Sequence, residues 1–274
     1  MPVTFIGGGN MATALIGGRV AAGASPSEFR VVEPFAAQRD KLAARFPGIA
    51  LQPSVTGDAV AGADVVVFAV KPQEMRTAAQ ALAPHAAAVP VVLSIAAGIR
   101  SADLARWLAG FARIVRAMPN TPALVSAGIS GAWAAAAVDA PGRRAAEAVL
   151  AAGGEVVWFD NEASLDAVTG VSGSGPAYVF YVLEALEQAA IDVGLEAGAA
   201  RRLAYATVGG AMALARQSDA DPATLRAQVT SKGGTTAVAL ATLEQRDVKA
   251  AFVAAVRAAT ARARELGDEF GEDR

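Results

Sequence analysis

Two glycine loops and three strand-end segments carry residues whose type and spacing suit chemistry on small anionic ligands. The first loop is Gly7-Gly8-Gly9-Asn10-Met11-Ala12, a G-x-G-x-x-A pattern directly after the apolar run Val3-Thr4-Phe5-Ile6. Gly7 permits a tight turn. Gly9 lacks a Cβ, so a pyrophosphate can approach the backbone, and Ala12 is small enough for a helix to pack close to a sheet. The helix that follows offers free N–H donors and a partial positive charge. The same glycines would also make a bare turn. A strand before them, a helix after them and an acid at the end of the next strand together predict a dinucleotide site. That acid is Glu33. In this place a carboxylate accepts from a ribose 2′-hydroxyl and repels a 2′-phosphate, which favours NAD over NADP; the alternative is a solvated strand-end charge. Arg39, six residues on, is able to cover a phosphate, so the choice between NAD(H) and NADP(H) stays open.

The second loop is Val229-Thr230-Ser231-Lys232-Gly233-Gly234-Thr235-Thr236. Its hydroxyls, glycines and helix start suit either an anion nest for a carboxylate or a helix–helix connection with hydroxyl caps, and the residues alone weigh the two equally. A similar loop, Gly170 to Pro176, opens another helix. The strand-end segments are Val70-Lys71-Pro72, Ser94-Ile95-Ala96-Ala97-Gly98 and Met118-Pro119-Asn120-Thr121-Pro122. Prolines and small residues make rigid, close walls suited to a flat nicotinamide ring. Lys71 is the one cation among them and reads equally as a ligand or as a surface lysine.

These segments need a framework. Short apolar runs at 3–6, 30–33, 64–70, 90–95 and 113–118 alternate with helical stretches at 11–22, 36–46, 73–83 and 101–108. Strands apolar on both faces, interleaved with helices, predict a parallel sheet covered on each side. A further strand pair, 128–133 and 155–159, closes the unit around a helix at 142–152. Beyond about Asn161 only helices are expected: 176–193, 196–217, 222–229, 235–243 and 248–266. Asp221-Pro222 is a helix start, an N-cap acid followed by proline in the first turn. Several of these helices are apolar nearly all round and call for a partner subunit. The expected architecture is an α/β Rossmann-type N-terminal domain, residues 1–160, and an all-α C-terminal substrate-binding and dimerisation domain, residues 161–274.

Composition narrows the function. The chain has 274 residues, 54% hydrophobic and 18% charged, with a net charge of -2, so it is globular and has no basic footprint for nucleic acid or an anionic membrane. Thr77 to Ile99 lacks any Asp, Glu, Lys or Arg, but Pro84 and Pro90 break it, which favours a buried helix and strand over a membrane span. No basic signal-peptide region precedes the first strand, and the cytoplasm is the expected location. Without Cys there is no thiolate chemistry, and with His85 as the single histidine a His triad or multi-His metal site is not expected; no metal site is predicted. His85 lies between two prolines, far from the loops, and reads as a packing or surface residue.

Six segments in order identify a resemblance across Phe5 to about Leu266: Gly7-Gly8-Gly9-Asn10-Met11, Val70-Lys71-Pro72, Ser94 to Gly98, Arg116 to Pro122, Gly170 to Tyr178 and Thr230 to Thr236. Together they resemble pyrroline-5-carboxylate reductase, which makes L-proline from 1-pyrroline-5-carboxylate by hydride transfer from NAD(P)H, the final step of proline biosynthesis. The resemblance implies that Gly7, Gly9, Asn10 and Met11 meet the cofactor pyrophosphate. It further implies that Val70, Lys71, Pro72, Ala96 and Gly98 line the cofactor, and that Met118, Pro119 and above all Asn120 flank the nicotinamide. Ser231, Gly233, Gly234, Thr235 and Thr236 then hold the substrate. It also implies an interlocked homodimer, often a ring of dimers, whose active site joins one subunit's cofactor domain to its partner's helices. Two residues depart from the pattern. Lys232 stands where many relatives have Pro, and Glu33 where many have small polar residues suited to a 2′-phosphate.

The hydride acceptor is a cyclic imine, best reduced when its nitrogen is protonated. No strong acid lies in the loops, so positioning is expected to carry the catalysis, with Thr236 as the candidate to hydrogen-bond the ring nitrogen. The rival readings are a reductase of another imine, a β-hydroxyacid dehydrogenase and a non-catalytic dinucleotide sensor. Hydroxyacid enzymes rely on a catalytic lysine in the second domain, and Ala163 to Asp219 contains none. The intact second loop speaks against the sensor.

Overall fold

The structure, a computed structural model, describes residues 1–272, and among these described residues the chain forms eight strands and twelve α-helices. The strands are β1 (Val3–Ile6), β2 (Phe29–Val32), β3 (Ala50–Gln52), β4 (Val65–Phe68), β5 (Val92–Ser94), β6 (Ile114–Met118), β7 (Gly128–Ala134) and β8 (Gly154–Trp158). They form one sheet in the order β3-β2-β1-β4-β5-β6-β7-β8. Every neighbouring pair is parallel except β6 and β7, which are antiparallel. Strand order reverses between β1 and β4, and in such sheets the crevice beyond the strand ends at that point receives ligands.

Side-chain alternation explains the double burial. Val3, Phe5, Val67 and Leu93 enter one core with Leu15, Ile16 and Val149. Ile6, Val66, Phe68 and Val92 enter a second core with Met75, Leu82 and Leu104. A strand apolar on both faces is what two such cores require, each buried Leu or Phe contributing about 1.5–3 kcal/mol. The covering helices are α1 (Asn10–Ala21), α2 (Ala36–Arg45), α3 (Gly57–Val60), α4 (Met75–Leu82), α5 (Ser101–Trp107), α6 (Ala140–Leu150) and α7 (Ser164–Val168). Late in α1, a Cβ on Gly18 would overlap the carbonyl oxygen of Ala152, so α1 docks closely on the Ala151–Gly153 turn.

Two features differ from the sequence reading. Ala50–Gln52 pairs with β2 as an edge strand, although three residues between Gly48 and Pro53 carry no readable periodicity. The segment from Gly170, expected as a loop, is wound as a π-helical turn over Thr169–Gly173, closed by the Ser174 amide donating to the Thr169 carbonyl at 2.9 Å. Its glycines disfavour helix only weakly, and a helical segment leads into the turn.

Contacts group Met1–Ser174 with the chain from Ala258 onward as one unit and Gly175–Arg257 as the other. The line falls after the π turn because α7 packs on β6 and β7, with Val168 against Gly131. The remaining helices are α8 (Gly175–Asp192), α9 (Ala197–Arg216), α10 (Pro222–Gln228), α11 (Thr235–Gln245) and α12 (Val248–Gly271). In the second unit α8 and α9 pack on each other, joined by an Arg201–Glu187 ion pair at 2.9 Å. Asp221 caps α10, accepting from the amides of Ala223 and Thr224 at 2.8 and 3.0 Å. Phe180, Tyr181, Leu203, Tyr205, Met212 and Leu214 remain exposed on these helices. Among the described residues, no helix is long and apolar enough to cross a membrane.

Candidate functional site

Beyond β1 the chain turns at Gly7, whose φ of 98° lies in the region that favours glycine. A Cβ there would stand 2.8 Å from the backbone carbonyl of Ala69, just past β4, so the two strand ends touch. Gly8 is held from below: its amide donates to Glu33 Oε2 at 2.9 Å and its carbonyl accepts from Gln38 Nε2 at 2.6 Å. Gly9 is the opposite case. It is exposed, and a Cβ on it would meet nothing within 4 Å. Gly9 is also the N-cap of α1, and no side chain caps that helix. The first-turn amides of α1 thus face an opening that a side chain would have filled, while Ala12, 0% exposed, seats the helix on the sheet. Such a cradle fits a dinucleotide pyrophosphate.

Glu33 follows β2 directly and is 7% exposed, not a solvated charge. Besides Gly8 it accepts from the Phe35 amide at 3.0 Å. Arg39 donates to the carbonyls of Glu33 and Pro34, both at 2.7 Å. The acid and the arginine therefore brace the turn after β2 next to the glycine loop.

The other strand-end residues lie as follows. Val70 and Pro72 are half-buried and Lys71 is exposed. Ala96 and Gly98 are buried, and Gly98, at φ 72°, abuts Leu266 and Phe270. Met118 and Asn120 are half-buried, and Pro119 is buried. The Asn120 amide is engaged within the unit: Oδ1 accepts from the Ile129 amide at 2.9 Å and Nδ2 donates to the Ser172 carbonyl at 3.2 Å. Its side chain shapes the loop, leaving the neighbouring backbone and Met118 for a ligand. His85 sits beside Gly57 in the connection that feeds the N-terminal end of β5, at the other end of the strands from these loops.

In the second unit Ser231 to Thr236 turn into α11. Gly233 has φ 73°, the Gly234 amide donates to the Ser231 carbonyl at 3.1 Å, and a Cβ on Gly234 would overlap Ser231 Oγ. Gly234 is the N-cap, without a side-chain cap. Uncapped amides of Thr235 and Thr236 thus begin an eleven-residue helix beside a serine hydroxyl, a donor set suited to a carboxylate. Thr236 is half-buried and Lys232 exposed.

One polar centre escaped the sequence reading. Glu162 accepts from the Ser101 amide at 2.7 Å, from Ser101 Oγ at 2.6 Å and from Arg116 Nη1 at 2.6 Å. Burial works to raise its pKa, but the Ser101 hydroxyl, the Arg116 guanidinium and the Ser101 amide outweigh burial and hold it below the ordinary value. In sequence it is one acid in an unpatterned Asp160-Asn161-Glu162, and its partners lie far away along the chain, so no local signal marked it. Among the described residues, no group of three or more His, Cys, Asp or Glu is placed to hold a metal ion.

Two family models match the chain. Residues 162–266 match the family model described as pyrroline-5-carboxylate reductase dimerisation. Residues 2–98 match that described as NADP oxidoreductase, coenzyme F420-dependent. The chain is 43% identical to a pyrroline-5-carboxylate reductase of Pseudomonas aeruginosa, over 98% of each chain. It is 40% identical to one of Synechocystis, over 96% of this chain and 97% of that one. Among solved structures it resembles a pyrroline-5-carboxylate reductase from Coxiella burnetii, with a TM-score of 0.89 and 37% identity over 96% of this chain and 97% of that one. It also resembles a Plasmodium falciparum pyrroline carboxylate reductase with NADP bound, with a TM-score of 0.86 and 26% identity over 97% and 98%.

Proposed function

This chain belongs to the pyrroline-5-carboxylate reductase family, and from that premise we propose how its own residues reduce 1-pyrroline-5-carboxylate to L-proline with NAD(P)H. The observation that carries the reading is the pair of uncapped helix starts, α1 behind an open Gly9 and α11 behind Gly234. One suits a pyrophosphate and the other a carboxylate.

A nicotinamide cofactor held there would supply the hydride for the imine carbon. The amides that open α1 hold the pyrophosphate, and Val70, Lys71, Pro72, Ala96, Gly98 and Met118 to Asn120 line the rest of the cofactor. Ser231 and the turn of Gly233, Gly234 and Thr235 fix the substrate carboxylate and thereby the face of the ring. Thr236 hydrogen-bonds the ring nitrogen and helps deliver the proton that completes the amine. Division of labour follows residues 1–160 for cofactor and 161–274 for substrate and dimerisation. The exposed apolar residues of α8 and α9 support a homodimer, and a ring of dimers extends the same assembly. The reaction runs in the cytoplasm.

The direct test is oxidation of NADPH or NADH on adding pyrroline-5-carboxylate, with proline identified as product; no proline from either cofactor rejects the proposal. Two variants refine it. Ser231→Ala is expected to raise the KM for the imine about tenfold with kcat nearly unchanged, and a wild-type KM removes the carboxylate role. Glu33→Gln is expected to raise the NADPH-to-NADH ratio of kcat/KM about tenfold by removing a negative charge near the ribose. An unchanged ratio leaves Glu33 only as a brace for Gly8 and the turn at Phe35.

A further inference from the structure

The Glu162 centre includes none of the ligand-lining residues named above, yet it bonds the stems of two of their loops. Arg116, on β6, is 6% exposed and stands two residues before Met118. Ser101 opens α5 three residues after Gly98. One carboxylate therefore binds the stem of the Met118–Asn120 loop to the stem of the Ala96–Gly98 loop. Three donors converge on it within 2.7 Å. Only an acceptor with two oxygens and no hydrogen serves them all, and charge-assisted contacts of this length are stiff. The outer side of the Met118 loop is also pinned. Asn120 is bonded to Ile129 and Ser172, and Gly173, lacking a side chain, leaves just the room that the Met118 methyl occupies.

We propose that Glu162 is a positioning residue for hydride transfer: its bonds to Ser101 and Arg116 set the spacing of the two loops that line the nicotinamide. The inference rests on the reading that Ala96, Gly98 and Met118 to Asn120 contact the cofactor. A latch of this kind acts before any substrate arrives, because it fixes the walls against which the ring settles. Small shifts of those walls are costly, since a misplacement of about 1 Å in a reacting group can cost about a hundredfold in rate. A purely structural ion pair would behave differently. Its loss would lower the stability of the unit and leave the affinity of the folded enzyme for cofactor unchanged.

The full-length enzyme is compared with Glu162→Asp, Glu162→Gln and, within the loop, Met118→Ala. Each is titrated with NADPH and with NADH in the absence of substrate, followed by tryptophan fluorescence, and each is melted. Aspartate keeps a charge for Arg116 but is one methylene too short to hold Ser101 and Arg116 together, so it stays informative should the neutral variant fail to fold. Both Glu162 variants are expected to raise the cofactor Kd about tenfold, with the KM for pyrroline-5-carboxylate within about twofold of wild type. Met118→Ala should also raise the cofactor Kd. If Met118→Ala weakens cofactor binding while the Glu162 variants melt earlier but bind as wild type, the latch is overturned and the cofactor-lining reading stands. If all three bind as wild type, the lining assignment fails and the latch falls with it.

Discussion

Replacing Thr236 by alanine is expected to lower kcat about a hundredfold while the protein stays folded. Thr236 lies in the first turn of α11, half-buried, and the turn that starts this helix is closed by Ser231 and Gly234 without it. Its loss thus removes a hydroxyl and a methyl without unwinding the helix. The chain offers few substitutes: there is no Cys, and His85 sits beside Gly57 at the other end of the strands from the cofactor loops. A serine at 236 restores the hydroxyl and should recover most of the rate. Steady-state kinetics at saturating cofactor provides the measurement. Wild-type kcat in the alanine variant would show that the imine nitrogen gains its proton elsewhere.

The second large effect separates binding from folding through one chemical change made two residues apart. Gly9→Ala should raise the cofactor Kd about 10- to 100-fold, because the added methyl intrudes where the phosphate approaches the amides of α1. Its cost in stability should stay near 1 kcal/mol, since Gly9 has φ -71°, open to any residue, and nothing lies within 4 Å of the new carbon. Gly7→Ala should instead destabilise the fold by about 2–4 kcal/mol, because its φ of 98° is strained for alanine and the methyl meets the Ala69 carbonyl. Urea unfolding and cofactor titration on both variants decide the matter. Equal loss of stability in the two would mean that Gly9 serves the fold and not a ligand.

Those two glycines also illustrate what was legible before the structure. Strand, glycine pattern and helix are adjacent in sequence, so one short stretch encodes the whole device. The doubly buried strands were readable for a similar reason, since Val65 to Phe68 must be apolar throughout to face two cores. Glu162 was not readable, because a half-buried acid announces itself only through partners, and Arg116 and Ser101 come from other elements. Asn120 was readable as a loop residue but not as one whose amide is already engaged on both sides. The π turn at Thr169–Gly173 was hidden by composition: glycines and serines there read as a loop, whereas helical hydrogen bonding carries the backbone through them. The edge strand Ala50–Gln52 is too short to show a period at all.

The close seating of Gly18 on Ala152 has a mechanical consequence. Gly18 and Asn10 are eight residues apart, about 12 Å along the helix axis. Ala12, fully buried on the sheet, seats the other end, so α1 is held at both ends and the amides of its first turn are fixed in direction. A tilt of about 5° would swing those amides by about 1 Å, enough to spoil charge-assisted bonds that tolerate only a few tenths of an ångström. On the proposed cofactor site, a helix seated in this way spares the ligand the entropic cost of aligning a loose one for itself.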